Sequence, residues 1–193
     1  LMQTYRQYVD SKYSVRQILV EHHHFNDPIK RGHIKNLLLR CKAQNAIPII
    51  NYNDAVSQSE NRRMEISALA KSQAEVHECI DNDETASLVA CLVRAETLLI
   101  LTSVDGIYTD PHDSSTLIEE IAGKDAYELT ENIENYKKYC EGASRKGANG
   151  AKAKLEYVKA AAAQGTRVLI ANAKYSIAEI LSGAVRCTKI QIR

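Results

Sequence analysis

The hydrophobic residues of this chain change their spacing repeatedly along its length. Met2, Tyr5, Tyr8 and Val9 recur at helical intervals within residues 1–12, and Val15 to Val20 then takes the rhythm of a strand. Pro28 suits a first helical position and opens a segment in which Ile29, Ile34, Leu37, Leu38 and Cys41 keep helical spacing towards Ala46. Ile47 to Ile50 predicts a short buried strand. Asn82 or Asp83 can cap a helix running through Leu88, Val89, Leu92 and Val93, with a strand predicted over Thr97 to Leu101. A helix from Ala151 to Ala163, a stop at Gly165, a strand over Arg167 to Ala171 and a helix around Ile177 to Leu181 complete the series. This alternation predicts an α/β fold, with a largely parallel sheet covered by helices.

Two polar stretches interrupt the order, Tyr52 to Ile80 and Asp105 to Gly150. Long excursions inside a domain tend to be functional or mobile. Within the second, Asp105-Gly106-Ile107-Tyr108-Thr109-Asp110-Pro111 has the chemistry of a tight turn after a strand. His22-His23-His24 reads as a solvated strand-to-helix loop rather than a metal site, because adjacent strand residues face opposite ways.

A length of 193 residues suits one domain with a substantial core. The formal charge is +1 and the charges are interspersed, which argues against a nucleic-acid partner. Five cysteines are an odd number without a C-x-x-C pair, the usage of reduced thiols in a cytosol. The longest apolar runs are strand-sized and the N-terminus lacks signal-peptide order, so the expectation is a cytoplasmic protein with no membrane segment.

Polar clusters stand where hydrophobic runs break. Asn51, Asn53 and Asp54 follow Ile47-Pro48-Ile49-Ile50, and Asp81-Asn82-Asp83 opens an apolar helix. Gly147-Ala148-Asn149-Gly150-Ala151-Lys152-Ala153-Lys154 leads into another helix with the small residues and cations that suit phosphate. Ligands in open α/β sheets sit at strand carboxyl ends and helix N-termini, so these clusters are candidates for one polar site. Each also has a plainer reading: a turn at Asn53-Asp54, a helix cap at Asp83, and a surface loop with solvated lysines before Leu155.

Taken in order, these segments resemble the amino acid kinase family and, within it, the glutamate 5-kinases. Residues 47–54 resemble the motif I-P-[IV]-I-N-E-N-D, residues 81–83 resemble G-D-N-D, residues 98–108 resemble L-L-I-L-L-T-D-x-D-G-L-Y, and residues 147–155 are similar to G-T-G-G-M-x-T-K-L. The resemblance implies a three-layer α/β sandwich, with helices on both faces of a largely parallel sheet. It also implies N-terminal incompleteness: family members carry an earlier segment with K-x-G-S and S-S-G-A turns, so the chain corresponds to roughly the C-terminal two-thirds of one kinase domain. An RNA-binding-like C-terminal domain, present in many bacterial members, is not expected in residues 1–193.

The activity so implied is transfer of the γ-phosphoryl group of ATP, with Mg²⁺, to the side-chain carboxylate of L-glutamate, the opening step of proline biosynthesis. Lys154 and Asp83 match the catalytic positions, as phosphoryl-stabilising cation and lysine-orienting carboxylate. Asn51, Asp54, Asp81 and Asn82 match substrate-binding positions, and Thr102, Ser103, Gly147, Ala148, Asn149, Gly150 and Lys154 match the nucleotide site. No protein residue is assigned to metal. A homo-oligomer, dimer or tetramer, and feedback inhibition by L-proline are further implications.

Elementary chemistry fits that assignment. A carboxylate nucleophile is ionised at neutral pH and needs no general base, so catalysis rests on alignment and positive charge. Departures from the pattern fall in the site itself: Tyr52 for glutamate, Ile80 for glycine, Ser103 for aspartate, Ala148 for threonine and Asn149 for glycine. They leave open a non-catalytic relative that binds an amino acid as a regulator, or a kinase for another carboxylate.

Overall fold

Side chains of Val168, Leu169, Ile170 and Ala171 are 0–2% exposed, so a strand here must be covered on both faces. The computed structural model describes residues 2–52, 82–110, 112–140 and 150–193, and it divides into two units, 1–85 and 86–193.

In the first unit the chain runs through α1 (Met2–Tyr8), β1 (Ser14–Val20), α2 (His22–Asn26), α3 (Pro28–Ala43) and β2 (Ala46–Tyr52). Strands β1 and β2 pair in parallel, with Leu19 opposite Asn51 and Val20 opposite Tyr52. Asp27 caps α3 by accepting from the backbone N–H groups of Ile29 at 2.8 Å and Lys30 at 3.1 Å, and Pro28 occupies the first turn, where its missing N–H costs nothing. Among the described residues of this unit, Val15, Val20, Phe25, Leu38, Cys41 and Ala46 are the buried apolar ones. The histidine run is helical rather than a loop. Phe25 anchors it, and Glu21 forms a capping box with His24, so a four-residue pattern of three histidines and one buried aromatic suffices for a short turn of helix.

The helix α4 (Asn82–Val93) leads into the second unit, followed by β3 (Thr97–Thr102), β4 (Glu120–Gly123), α5 (Ala126–Lys137), α6 (Ala151–Ala163), β5 (Arg167–Asn172), α7 (Ile177–Ser182) and β6 (Thr188–Ile192). The sheet order is β3-β5-β6-β4. β3 pairs with β5 and β4 with β6 in parallel, while β5 and β6 are antiparallel.

Alternation along β5 builds two apolar layers. Val168 and Ile170 join Leu98, Ile100, Leu129, Ile133, Leu155, Val158 and Ile190 on one face, with Ala90 of α4. Leu169 and Ala171 join Ile180 and Cys187 on the other. Helices thus cover both faces of this sheet, and the fold is mixed α/β with parallel strand pairs. The stretch 105–150, which reads as polar excursion in the sequence, contains both β4 and α5. Asp125 caps α5 by accepting from the Glu128 N–H at 2.9 Å, and the i, i+4 pair Leu129 and Ile133 turns its buried face to the core.

Candidate functional site

Direction along the chain places α6 relative to the strands. Thirteen residues of α helix and six of strand both extend for about 20 Å. The turn 164–166 joins them, with Gly165 at φ +94°, a region glycine enters at no steric cost. The chain therefore doubles back from α6 into β5, and α6 packs on β5 and β6. Its N-terminus consequently lies on the side where β5 and its parallel neighbour β3 reach their carboxyl ends. That is the side on which α/β proteins place ligands.

Gly150 is the N-cap of α6 in extended conformation, and its carbonyl accepts from Ala153 at 3.0 Å and Lys154 at 3.2 Å. The Ala151 and Lys152 N–H groups precede the first of these bonds, at the positive end of the helix dipole. Lys154 is half-buried in the same first turn. Ser87 ties α4 to α6 by donating its hydroxyl to the Tyr157 carbonyl at 2.6 Å, which fixes the helix that presents Lys154.

At the strand ends, half-buried Thr102 stands in register with Asn172, and exposed Ser103 follows it. The Thr102 carbonyl accepts from the Ala173 N–H at 2.9 Å. Asn172 donates its side-chain amide to the Ser103 carbonyl at 3.2 Å and to Asp105 Oδ1 at 3.0 Å, while its own Oδ1 accepts from the Lys174 N–H at 3.1 Å. Lys174 Nζ lies 3.1 Å from Asp105 Oδ1 and 4.6 Å from the centre of the Tyr175 ring. Tyr175 first, and Asp105 second, hold the Lys174 ammonium above its ordinary value.

The loop between β3 and β4 is pinned from beneath. Thr188 on β6 accepts from the Ile107 N–H at 2.8 Å and donates to the Ile118 carbonyl at 2.7 Å, and a Cβ on Gly106 would stand 2.4 Å from the Thr188 hydroxyl.

The second unit thus brings Thr102, Ser103, Gly150 and Lys154 to one side. In the first unit, exposed Asn51 is the penultimate residue of β2, near the carboxyl side of the β1–β2 pair; exposed Asn82 and half-buried Asp83 occupy the first turn of α4. Asp54, Asp81, Gly147, Ala148 and Asn149 lie outside the described residues. Asn172 and Lys174 escape the sequence reading, although a polar residue directly after the apolar run 168–171 is the same signal that marks Asn51. Asp105 enters that reading as a turn residue and within the 98–108 motif, with no role at the site. Among the described residues no group of three or more His, Cys, Asp or Glu side chains is arranged to hold a metal ion, and no helix is long and apolar enough to cross a membrane.

The chain belongs to the amino acid kinase family, whose pattern matches residues 1–172. It is 28% identical over 191 residues to a glutamate 5-kinase of Clostridium perfringens, an overlap covering 95% of this chain and 63% of that protein. A glutamate 5-kinase of Alkaliphilus metalliredigens is 29% identical over 182 residues, covering 92% of this chain and 60% of the relative. A third, from Dehalococcoides mccartyi, is 34% identical over 142 residues, 72% of this chain and 32% of the relative. The chain therefore spans less than two-thirds of the length of the curated relatives it matches. Among solved structures, aspartokinase III of E. coli in complex with lysine and aspartate aligns at 19% identity and a TM-score of 0.46, covering 92% of this chain and 35% of that one. UMP kinase from Ureaplasma parvum aligns at 12% identity and a TM-score of 0.40, covering 95% and 99%.

Proposed function

We propose that this chain is part of an ATP-dependent kinase that phosphorylates the side-chain carboxylate of L-glutamate, in proline biosynthesis in the cytoplasm. The observation that carries the reading is the α6 N-terminus, with Gly150 and Lys154, on the carboxyl side of β3 and β5 in a chain whose relatives are named glutamate 5-kinase.

A glutamate side-chain oxygen forms the new bond to the γ-phosphorus, and the bond from that phosphorus to the β,γ-bridging oxygen breaks, leaving ADP with the electron pair. No proton changes hands, so the residues must align two anions and offset their charge. The α6 N–H groups and Lys154 would face the phosphates, with Thr102 and Ser103 beside the nucleotide, and Gly147, Ala148 and Asn149, which precede α6 in the sequence, would complete the nucleotide site. Asp83 would orient cations, and Asn51, Asp54, Asp81 and Asn82 would hold the amino acid. Mg²⁺ carried by the nucleotide phosphates would supply further charge neutralisation there. A homo-oligomer and inhibition by L-proline complete the proposal.

The test is ATP-dependent acyl phosphate formation from L-glutamate by the full-length protein, trapped as the hydroxamate. Product that disappears in Lys154→Ala supports the reading. A folded wild-type protein that binds glutamate or proline by calorimetry but forms no hydroxamate replaces it with a regulatory relative, the reading to which Tyr52 and Ile80 would belong.

A further inference from the structure

Asp105 is held in an arrangement that a loop-stabilising carboxylate does not require. Both donors that reach it, the Asn172 amide at 3.0 Å and the Lys174 ammonium at 3.1 Å, converge on Oδ1. Among the described residues nothing is bonded to Oδ2, and 28% of the side chain is open to solvent. An ionised carboxylate is purely an acceptor and can take bonds at both oxygens. Here one oxygen is used to fix the group and the other is left for a donor from outside.

Position and charge narrow the choice of donor. Asp105 comes three residues after Thr102, the end of β3, on the same side of the sheet as the α6 N-terminus. A bare carboxylate at this place would repel a polyanion. Lys174 offsets that charge, so the pair can face a phosphorylated ligand without net repulsion. Asn172 also anchors itself to the Ser103 carbonyl and to the Lys174 backbone, so the strand ends set the orientation of the carboxylate. Vicinal sugar hydroxyls are the donors that a nucleotide offers to a fixed carboxylate, and acidic residues at strand ends perform this task in other nucleotide-binding α/β folds.

We propose that Asp105 reads the ribose of the bound nucleotide, with Oδ2 accepting from a sugar hydroxyl and Asn172 and Lys174 acting as positioning residues. The inference rests on the kinase reading above and extends it to selection of ribonucleotides over their deoxy counterparts.

The experiment compares kcat/KM for ATP, 2′-deoxy-ATP and 3′-deoxy-ATP in the hydroxamate assay, using the full-length protein and its Asp105→Ala and Lys174→Met variants. Each preference is a ratio measured on one preparation, so a reduced folded fraction does not alter it. Wild type should prefer ATP over at least one deoxy analogue by about 10–100-fold, the worth of a hydrogen bond to a charged group. Asp105→Ala should abolish that preference, and Lys174→Met, which leaves the carboxylate charge unopposed and less firmly oriented, should reduce both the preference and kcat/KM for ATP. A wild type indifferent to both hydroxyls, or an Asp105→Ala variant that keeps the wild-type ratio, overturns the inference while leaving the kinase reading intact. If wild type forms no hydroxamate, calorimetric titration with the same three nucleotides takes over. ATP binding with the Asp105-dependent preference then supports ribose reading without catalysis, binding without it overturns the inference, and absence of binding removes both.

Discussion

Glu134 of α5 and Lys159 of α6 meet at 2.7 Å across the interface of these two helices. Lys137 stands 2.9 Å from the other Glu134 oxygen and also contacts Glu156, whose carboxylate lies 3.0 Å from Lys159. Two acids and two bases therefore alternate around one closed circuit. Because α6 carries Lys154 only two residues before Glu156, the circuit also holds the register of a helix on which the proposed chemistry depends.

The circuit has a pH signature. Lys159 first, and Lys137 second, hold Glu134 down from 4.5 to about 2. A depressed carboxyl contributes stability that is present above its ordinary value and is lost as pH falls through the folded value. Glu134 is 43% exposed, so Glu134→Gln should cost under about 1 kcal/mol at neutral pH and less in high salt. Urea unfolding of both proteins should show this gap closing between pH 4.5 and about 2; a gap unchanged across that window would contradict the account.

A methyl group at position 106 tests the pin beneath the β3–β4 loop. In Gly106→Ala the new carbon would lie 2.9 Å from the Thr188 backbone nitrogen and 3.0 Å from a Leu117 methyl, besides its clash with the Thr188 hydroxyl. The expected loss is about 1–3 kcal/mol by denaturant unfolding. Thr188→Val should fall in a similar range, because it strands the Ile107 N–H in a buried setting.

Substitution in the first turn of α6 separates two lysines that composition alone treats alike. Lys154 is half-buried and Lys152 is exposed. Lys154→Ala should reduce glutamate-dependent turnover by about 10²–10³-fold with the melting temperature little changed. Lys152→Ala should stay near wild type in the same assay, and equal losses from both would argue for a diffuse electrostatic role.

Thiol labelling follows from burial. Cys187 is 3% exposed, and burial pushes its thiol above the ordinary value. Iodoacetamide at neutral pH should leave it unmodified in the native protein and reach it once denaturant unfolds the second unit, as mass spectrometry of the peptide would show.

Helix α6 and strands β3 and β5 were legible because each couples a long apolar pattern to an unmistakable stop or start, Gly165 among them. Strand β4 was not, since Glu120–Gly123 offers only Ile121 and Ala122 as apolar positions and its burial comes from its β6 partner. Helix α5 hides a two-residue buried face, Leu129 and Ile133, in an otherwise polar sequence. Strand β6 does alternate, Thr188-Lys189-Ile190-Gln191-Ile192, but its antiparallel direction against β5 follows from tertiary packing. At the site, Thr102 and Lys154 were readable from motif order. Asn172 and Lys174 belong to no such motif, and only the register of β3 against β5 brings them to Ser103 and Asp105.

The family match stops at residue 172, yet β6 begins at Thr188 and lies between β5 and β4. Trimming the chain to the matched boundary would remove an interior strand, orphan β4 and release the Thr188 pin. During synthesis, β4 likewise has no sheet partner until residue 192 has emerged, so this sheet closes late and by a long-range pairing. Any expression fragment meant to report on the nucleotide side should therefore extend past the family-matched segment to the end of β6.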